Sequence, residues 1–104
     1  MASGLLGRRN GDDGTSSAVY TCPASTLAVV NLVVCNTTSS ADDIIVYVAP
    51  SGATLANVHI IEKLSLPAGG VIERTNIVLD AGSQIYVNCS ADTVSNVWGI
   101  EESV

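Results

Sequence analysis

The sequence predicts an all-β chain: an antiparallel, jelly-roll-like β-sandwich of about seven or eight strands with an extended N-terminal arm. Three observations predict it. Valine, isoleucine and threonine recur throughout, while phenylalanine is absent and methionine occurs once; β-branched side chains are stiff at χ1 and pack well on a pleated surface. Strong helix formers are scarce, with lysine only at Lys63 and glutamate only at Glu62, Glu73, Glu101 and Glu102. Short apolar runs are separated by turn residues roughly every ten positions, the rhythm of a sandwich or barrel.

Residues 1–17 form a block of their own. Gly4, Gly7, Gly11 and Gly14 punctuate it, with Asn10, Asp12, Asp13, Ser16 and Ser17 between. That composition predicts a flexible arm, distinct from a sandwich domain over 18–104. Ala18 to Thr21 is a first strand, stopped by Pro23. Leu27 to Cys35 follows, with Ala28, Val30, Leu32 and Val34 on one face. Its other face carries Leu27, Val29, Val33 and Cys35, interrupted by Asn31. Apolar residues on both faces predict a central strand covered on both sides, or one face at an interface.

Asn36 to Ser40 is a polar turn. Ile44 to Ala49 is the next strand, ended by Pro50, Ser51 and Gly52, and residues 51–57 are a loop. Val58 to Leu64 reads as a strand; a short helical turn within 52–62 competes, but Val58, Ile60 and Ile61 favour extension. Leu66 to Gly70 turns the chain into Val71 to Leu79, which ends at the compact Asp80-Ala81-Gly82 turn. Gln84 to Cys89 alternates. Ser90 to Thr93 is expected to turn, and Val94 to Ile100 finishes the domain, with Trp98 expected as the buried anchor of that last strand. No repeat of solenoid length is present.

Size and charge narrow the function classes. The chain has 104 residues, enough for one domain that buries about 60–70% of its unfolded surface. The formal net charge is −6, and the cations are Arg8, Arg9, Lys63 and Arg74 alone. Phosphate backbones demand clustered cations, so nucleic acid is not an expected partner. No apolar run of signal-peptide length opens the chain and none reaches the ~20 residues that span a bilayer. The expectation is a soluble protein made in a cytoplasm, with no membrane partner.

Candidate chemistry is sparse. Cys22, Cys35, Cys89 and His59 could supply a zinc set, but structural sites usually pair ligands at close spacing and these come from separate segments. Buried thiols acting as small apolar groups are the expectation, with no disulfide framework. A Cys35–Cys89 bridge would imitate an immunoglobulin domain, yet Trp98 follows both cysteines instead of lying between them. His59 is the one histidine, and neither a nucleophile elbow nor a neighbouring nucleophile accompanies it. Asp12-Asp13 and Asp42-Asp43 lack the ligand alternation of a calcium loop and sit beside turn residues that they stabilise. Asn36-Thr37-Thr38 and Asn88-Cys89-Ser90 match the glycosylation sequon, which is inert without secretion. Tyr20, Tyr47, Tyr86 and Trp98 could make a sugar-binding face, or serve as core and cross-strand pairs. The expectation is no enzyme, no cofactor and no metal.

A family comes into view in the longer motifs. The domain opens Val19-Tyr20-Thr21-Cys22-Pro23-Ala24-Ser25-Thr26 and continues through Val33-Val34-Cys35-Asn36. Its last third reads Ile72-Glu73-Arg74-Thr75-Asn76-Ile77-Val78-Leu79-Asp80-Ala81-Gly82, then Gln84-Ile85-Tyr86-Val87, then Val97-Trp98-Gly99-Ile100-Glu101-Glu102. With Gly4-Leu5-Leu6-Gly7 ahead of them, these resemble small virion structural proteins of tailed bacteriophages, including phages of cyanobacteria and marine bacteria. The resemblance covers nearly the whole chain, and its motifs are structural rather than chemical.

What it implies is a β-sandwich subunit of a virion, assembled in the host cytoplasm. A capsid decoration (cement) subunit on a symmetric shell is the favoured form. A tail- or fibre-associated subunit is the alternative, and a carbohydrate-binding sandwich is a further one. Its partners would be other capsid or tail proteins and copies of itself, in closed rings, trimers especially. Leu5, Leu6, Arg8 and Arg9 are the expected docking element, the arm adding to a neighbour's sheet edge; packing of the arm on its own domain is the competing expectation.

Overall fold

A computed structural model describes residues 3–12 and 18–104, apart from the side chains of 9–12 and 90–92. The strands are β1 (Ser3–Asp12), β2 (Tyr20–Thr21), β3 (Thr26–Asn36), β4 (Asp42–Ala49), β5 (Ile60–Leu66), β6 (Val71–Leu79) and β7 (Gln84–Ser103). A single 3-10 turn, Asn57–His59, precedes β5. Val58 and His59 thus belong to the helical turn and extension begins at Ile60.

The pairings nest. β4 pairs with β5 and β3 with β6, while β2 and β1 pair with the first and second halves of β7, all antiparallel. The halves of β7 also pair with β4 and β3. Two four-stranded sheets result: β6-β3-β7-β1 (the first sheet) and β5-β4-β7-β2 (the second). With β7 counted as two segments, one long hairpin has rolled into a double-sheet sandwich, the jelly-roll connectivity.

Two expectations change here. The turn expected at Ser90 to Thr93 is absent, and the backbone of β7 runs unbroken from Gln84 to Ser103. Ser90-Ala91-Asp92-Thr93 contains neither glycine nor proline, so nothing in it forces a reversal. The segment carries the chain from the second sheet into the first.

Residues 3–12 follow the competing expectation for the arm, packing on the chain's own domain instead of standing free. They pair along β7 from Ser3 opposite Ile100 to Asp12 opposite Cys89. The remainder of the expected arm, 1–2 and 13–17, lies outside the described residues. Glycine here serves close approach rather than flexibility: a Cβ on Gly7 would lie 2.3 Å from the Val19 carbonyl oxygen. The strand passes so near the start of β2 that only glycine fits.

Side-chain alternation fills the space between the sheets. β3 sends Ala28, Val30, Leu32 and Val34 inward, and the second sheet answers with Ile44, Val46, Ile85 and Val87. Leu66, Leu79, Val97 and the two buried thiols complete the core. These are small and medium side chains, and the inner positions of late β7 are smaller still: Thr93, Ser95, Val97 and Gly99. A Cβ on Gly99 would come within 2.2 Å of the Val29 carbonyl oxygen. The narrow space takes the small residues of β7, so Trp98 points the other way. The expected buried anchor is a half-buried residue on the outside of the first sheet.

Polar groups close the ends and one open side. Asn36 is fully buried; its Nδ2 donates to the carbonyls of Ser40 (2.8 Å) and Leu66 (3.1 Å), and its Oδ1 accepts from the Thr38 amide (2.9 Å). It thereby ties the β3–β4 turn to the end of β5. Across the open side, Arg74 of β6 meets Glu62 of β5 at 3.3 Å, an exposed pair worth at most about 1 kcal/mol.

Candidate functional site

The residues with chemical potential are scattered. Cys22 and Cys89 are buried in the core, Cys35 is half-buried on the outside of the first sheet, and none of the three forms a disulfide among the described residues. Cys22 Sγ lies 3.5 Å from the Thr26 carbonyl and Cys89 Sγ 3.7 Å from that of Thr93. Burial, then the Glu101 charge, pushes the Cys22 thiol above its ordinary value, which opposes thiolate chemistry.

His59 ends the 3-10 turn ahead of β5. Its Nδ1 accepts the Ala56 amide at 3.1 Å, and its own amide donates to the Ala56 carbonyl at 3.0 Å. One ring nitrogen is thereby spent on closing that turn. Asp42 accepts the Thr93 hydroxyl at 2.6 Å, so it fastens β4 to β7. Asp12 and Asp13 have no described side chains. Among the described residues, no group of three His, Cys, Asp or Glu side chains is placed to hold a metal ion. No helix among them is long and apolar enough to cross a membrane.

The four aromatics divide three ways. Tyr20 is buried and donates its hydroxyl to Glu101. Tyr47 faces Tyr86 across β4 and β7 on the outside of the second sheet, where Tyr86 bonds Gln84 at 3.0 Å. Trp98 lies on the outside of the first sheet, so no single platform gathers them. Below the tyrosine pair, a groove of about 390 Å³ over β4 and β5 holds Asp43 and Lys63 among Ile45 and Leu64. Its lining contains neither a histidine nor a cysteine.

The feature that stands out is the outward face of the first sheet. Hydrogen-bond register places its residues in rows across the four strands. One row runs Ser3, Ile100, Val29, Val78; another runs Arg8, Asn96, Val33, Glu73; a third runs Asn10, Val94, Cys35, Val71. Between the first two, Leu5 faces Trp98 and Trp98 faces Asn31. Leu5, Val71, Val78 and Ile100 are 55, 57, 62 and 50% exposed, which is unusual for large apolar side chains clustered on one surface.

Asn31, the polar interruption in β3, is spoken for. Its Oδ1 accepts the amide of Asn76 at 3.1 Å, where β6 takes a left-handed residue (φ 58°) at a register irregularity. The charges described on this face are few for a chain of net −6: Arg8, Glu73 and, at one end beside Leu27, Glu102.

Of the four expected docking residues, Leu5 and Arg8 face outward here, and Arg8 Nε donates to Asn96 at 2.9 Å. Leu6 is an extra residue in the β1 register and packs against the chain's own core. The side chain of Arg9 lies outside the described residues. The outward placement of Trp98 was missed in the sequence; its signal was the run of small residues, Thr93, Ser95 and Gly99, alternating with it. Compared with protein-family models, curated proteins and solved structures, the chain finds no match in any of the three.

Proposed function

We propose that this chain is a structural subunit of a virion that works by surface contact and not by catalysis, with capsid decoration as its most suitable role. The observation that carries the reading is the outward face of the first sheet. Exposed apolar residues there lie in ordered rows on a rigid sheet, held at both sides by strands of the same domain. A rigid apolar face with few charges supports repeated docking, and many moderate contacts on a lattice add up through effective concentration. The jelly-roll connectivity supports it further, since capsid domains use that architecture, though lectins share it and a fold alone assigns no function. The motif resemblance to small phage virion proteins points the same way.

Purified particles carrying this gene's product provide the test. Density-gradient particles should contain the chain in fixed proportion to the major shell protein, and cryo-electron microscopy should place it on the outer surface. Its absence from particles of full density would end the reading, while density along the tail would move it to a tail- or fibre-associated role. The Tyr47–Tyr86 pair favours a second reading, glycan binding on the second sheet. Glycan-array binding abolished by Tyr86→Ala would establish that instead.

A further inference from the structure

We infer that the outward face of the first sheet is a two-fold self-association surface, and that its partner is a second copy of this chain. The inference rests on where the charges sit. Arg8 and Glu73 occupy the same row, on opposite outer strands: Arg8 faces Asn96, Asn96 faces Val33 and Val33 faces Glu73. A two-fold axis along the strands, midway between β7 and β3, exchanges the two ends of that row. Arg8 of one copy then lies over Glu73 of the other, twice by symmetry.

The rest of the face follows the same operation. Trp98 comes over Asn31, Asn96 over Val33, Ile100 over Val29 and Val94 over Cys35, so a middle that is apolar except for two asparagines meets itself and Arg8 and Glu73 close both sides. This is the isologous arrangement of a symmetric dimer, an apolar centre within a charged rim. Stacked sheets lie about 10 Å apart and cross at about 30°. An axis tilted by half that angle displaces the row ends by only about 4 Å, within the reach of arginine and glutamate. Rotation about an axis across the strands would instead bring Arg8 over its own strand and leave the charges unmatched.

The area suffices. Four strands about 4.8 Å apart and about eight residue lengths of 3.4 Å give roughly 520 Å² per copy in projection. Two copies reach roughly 1,050 Å² before side-chain relief is counted, against the ~1,000 Å² expected of a specific interface. The chain's acidic surplus of −6 opposes random association, and Asp42, Asp43, Glu62, Asp80 and Glu101 all lie away from this face.

The inference deepens the assembly reading by naming a partner, but the two fail separately, because self-association is measured on the purified full-length chain and the virion role on particles. Sedimentation equilibrium from 1 µM to 1 mM should give a monomer–dimer equilibrium, ending at twice the monomer mass of 10.6 kDa. Arg8→Glu and Glu73→Arg should each weaken the dimer at least about tenfold, since each sets like charges together at both contacts. The double variant, with the charges exchanged, should recover to within about threefold of the parent. Trp98 fluorescence should shift blue as the dimer forms. Circular dichroism spectra matching the parent would show that the variants fold, and both substituted positions are exposed. A strictly monomeric chain at 1 mM, or a trimer, would overturn the inference. So would a dimer that the single reversals leave intact or that the double variant does not restore.

Discussion

Gly7 runs so close beneath Val19 that a Cβ at position 7 would sit 2.3 Å from the Val19 carbonyl oxygen. That contact fixes how β1 lies along β7 and turns an apparent tail into the edge strand of the sandwich. Gly7→Ala should therefore push β1 off its seat. A loss of about 1–3 kcal/mol is expected from overpacking, read by urea unfolding. Amides of Ser3–Asp12 should lose hydrogen-exchange protection before the rest of the domain. Unchanged stability and unchanged protection would show that β1 does not pass beneath β2.

Asn36 carries the second prediction. It is fully buried and donates to the Ser40 and Leu66 carbonyls while accepting from Thr38. Asn36→Ala strands a buried carbonyl and frees the turn, for a loss of about 2–4 kcal/mol. Asn36→Asp should cost more at pH 7, because a carboxylate would face those carbonyls with no hydrogen to give. Denaturant midpoints rank the two variants, and an aspartate as stable as the parent would refute the hydrogen-bond assignment.

Much of this architecture was legible in the sequence because it rests on side-chain alternation. Ala28, Val30, Leu32 and Val34 declared the inner face of β3, and the apolar Val29 and Val33 on its other face announced a surface in need of cover. Four features were hidden. Gly7 read as looseness, since composition cannot distinguish a free backbone from one that must approach another closely. Ser90 to Thr93 read as a turn because its residues are polar, although a strand that changes sheets needs only to bend. Trp98 read as core because of its size, yet sandwich interiors are filled by what fits between the sheets, and Gly99 and Ser95 claimed those positions. His59 carried no sign of its use, because closure of a 3-10 turn by a ring nitrogen leaves no periodic signal.

Stability should fall in alkaline solution. Burial, then the Glu101 carboxylate it bonds, raises the Tyr20 phenol above its ordinary 10.0; burial, then the Glu101 charge, raises the Cys22 thiol above its ordinary 9.0. In both cases the folded chain holds the proton more tightly than the unfolded chain does. Their contribution is complete below about pH 9. It is lost as pH rises, first through the thiol and then through the phenol, by up to about 1.4 kcal/mol per pH unit for each group. Tyr20→Phe should flatten the decline above pH 10 in urea midpoints. A parent and a Tyr20→Phe variant with parallel profiles from pH 9 to 11.5 would contradict the coupling of Tyr20 to Glu101.

The thiols offer the last prediction, because their three environments differ. Cys22 and Cys89 are 1 and 7% exposed inside the sandwich, whereas Cys35 lies half-buried on the outside of the first sheet, between Val94 and Val71. Reaction with a thiol requires both access and thiolate, and buried cysteines are inert on both counts. An aromatic disulfide reagent should therefore modify one thiol per native chain, identified as Cys35 by peptide mass, and reach the other two only at the rate of unfolding. Cys35 also sits on the surface where two copies are inferred to meet, so its reaction should slow as protein concentration rises through the range in which the dimer forms. The observed rate should track the fraction of open face, and Arg8→Glu should restore the rapid reaction at high concentration. Equal reactivity of all three thiols would contradict the packing of the core; a Cys35 rate independent of concentration in a chain that does associate would place the contact on another surface.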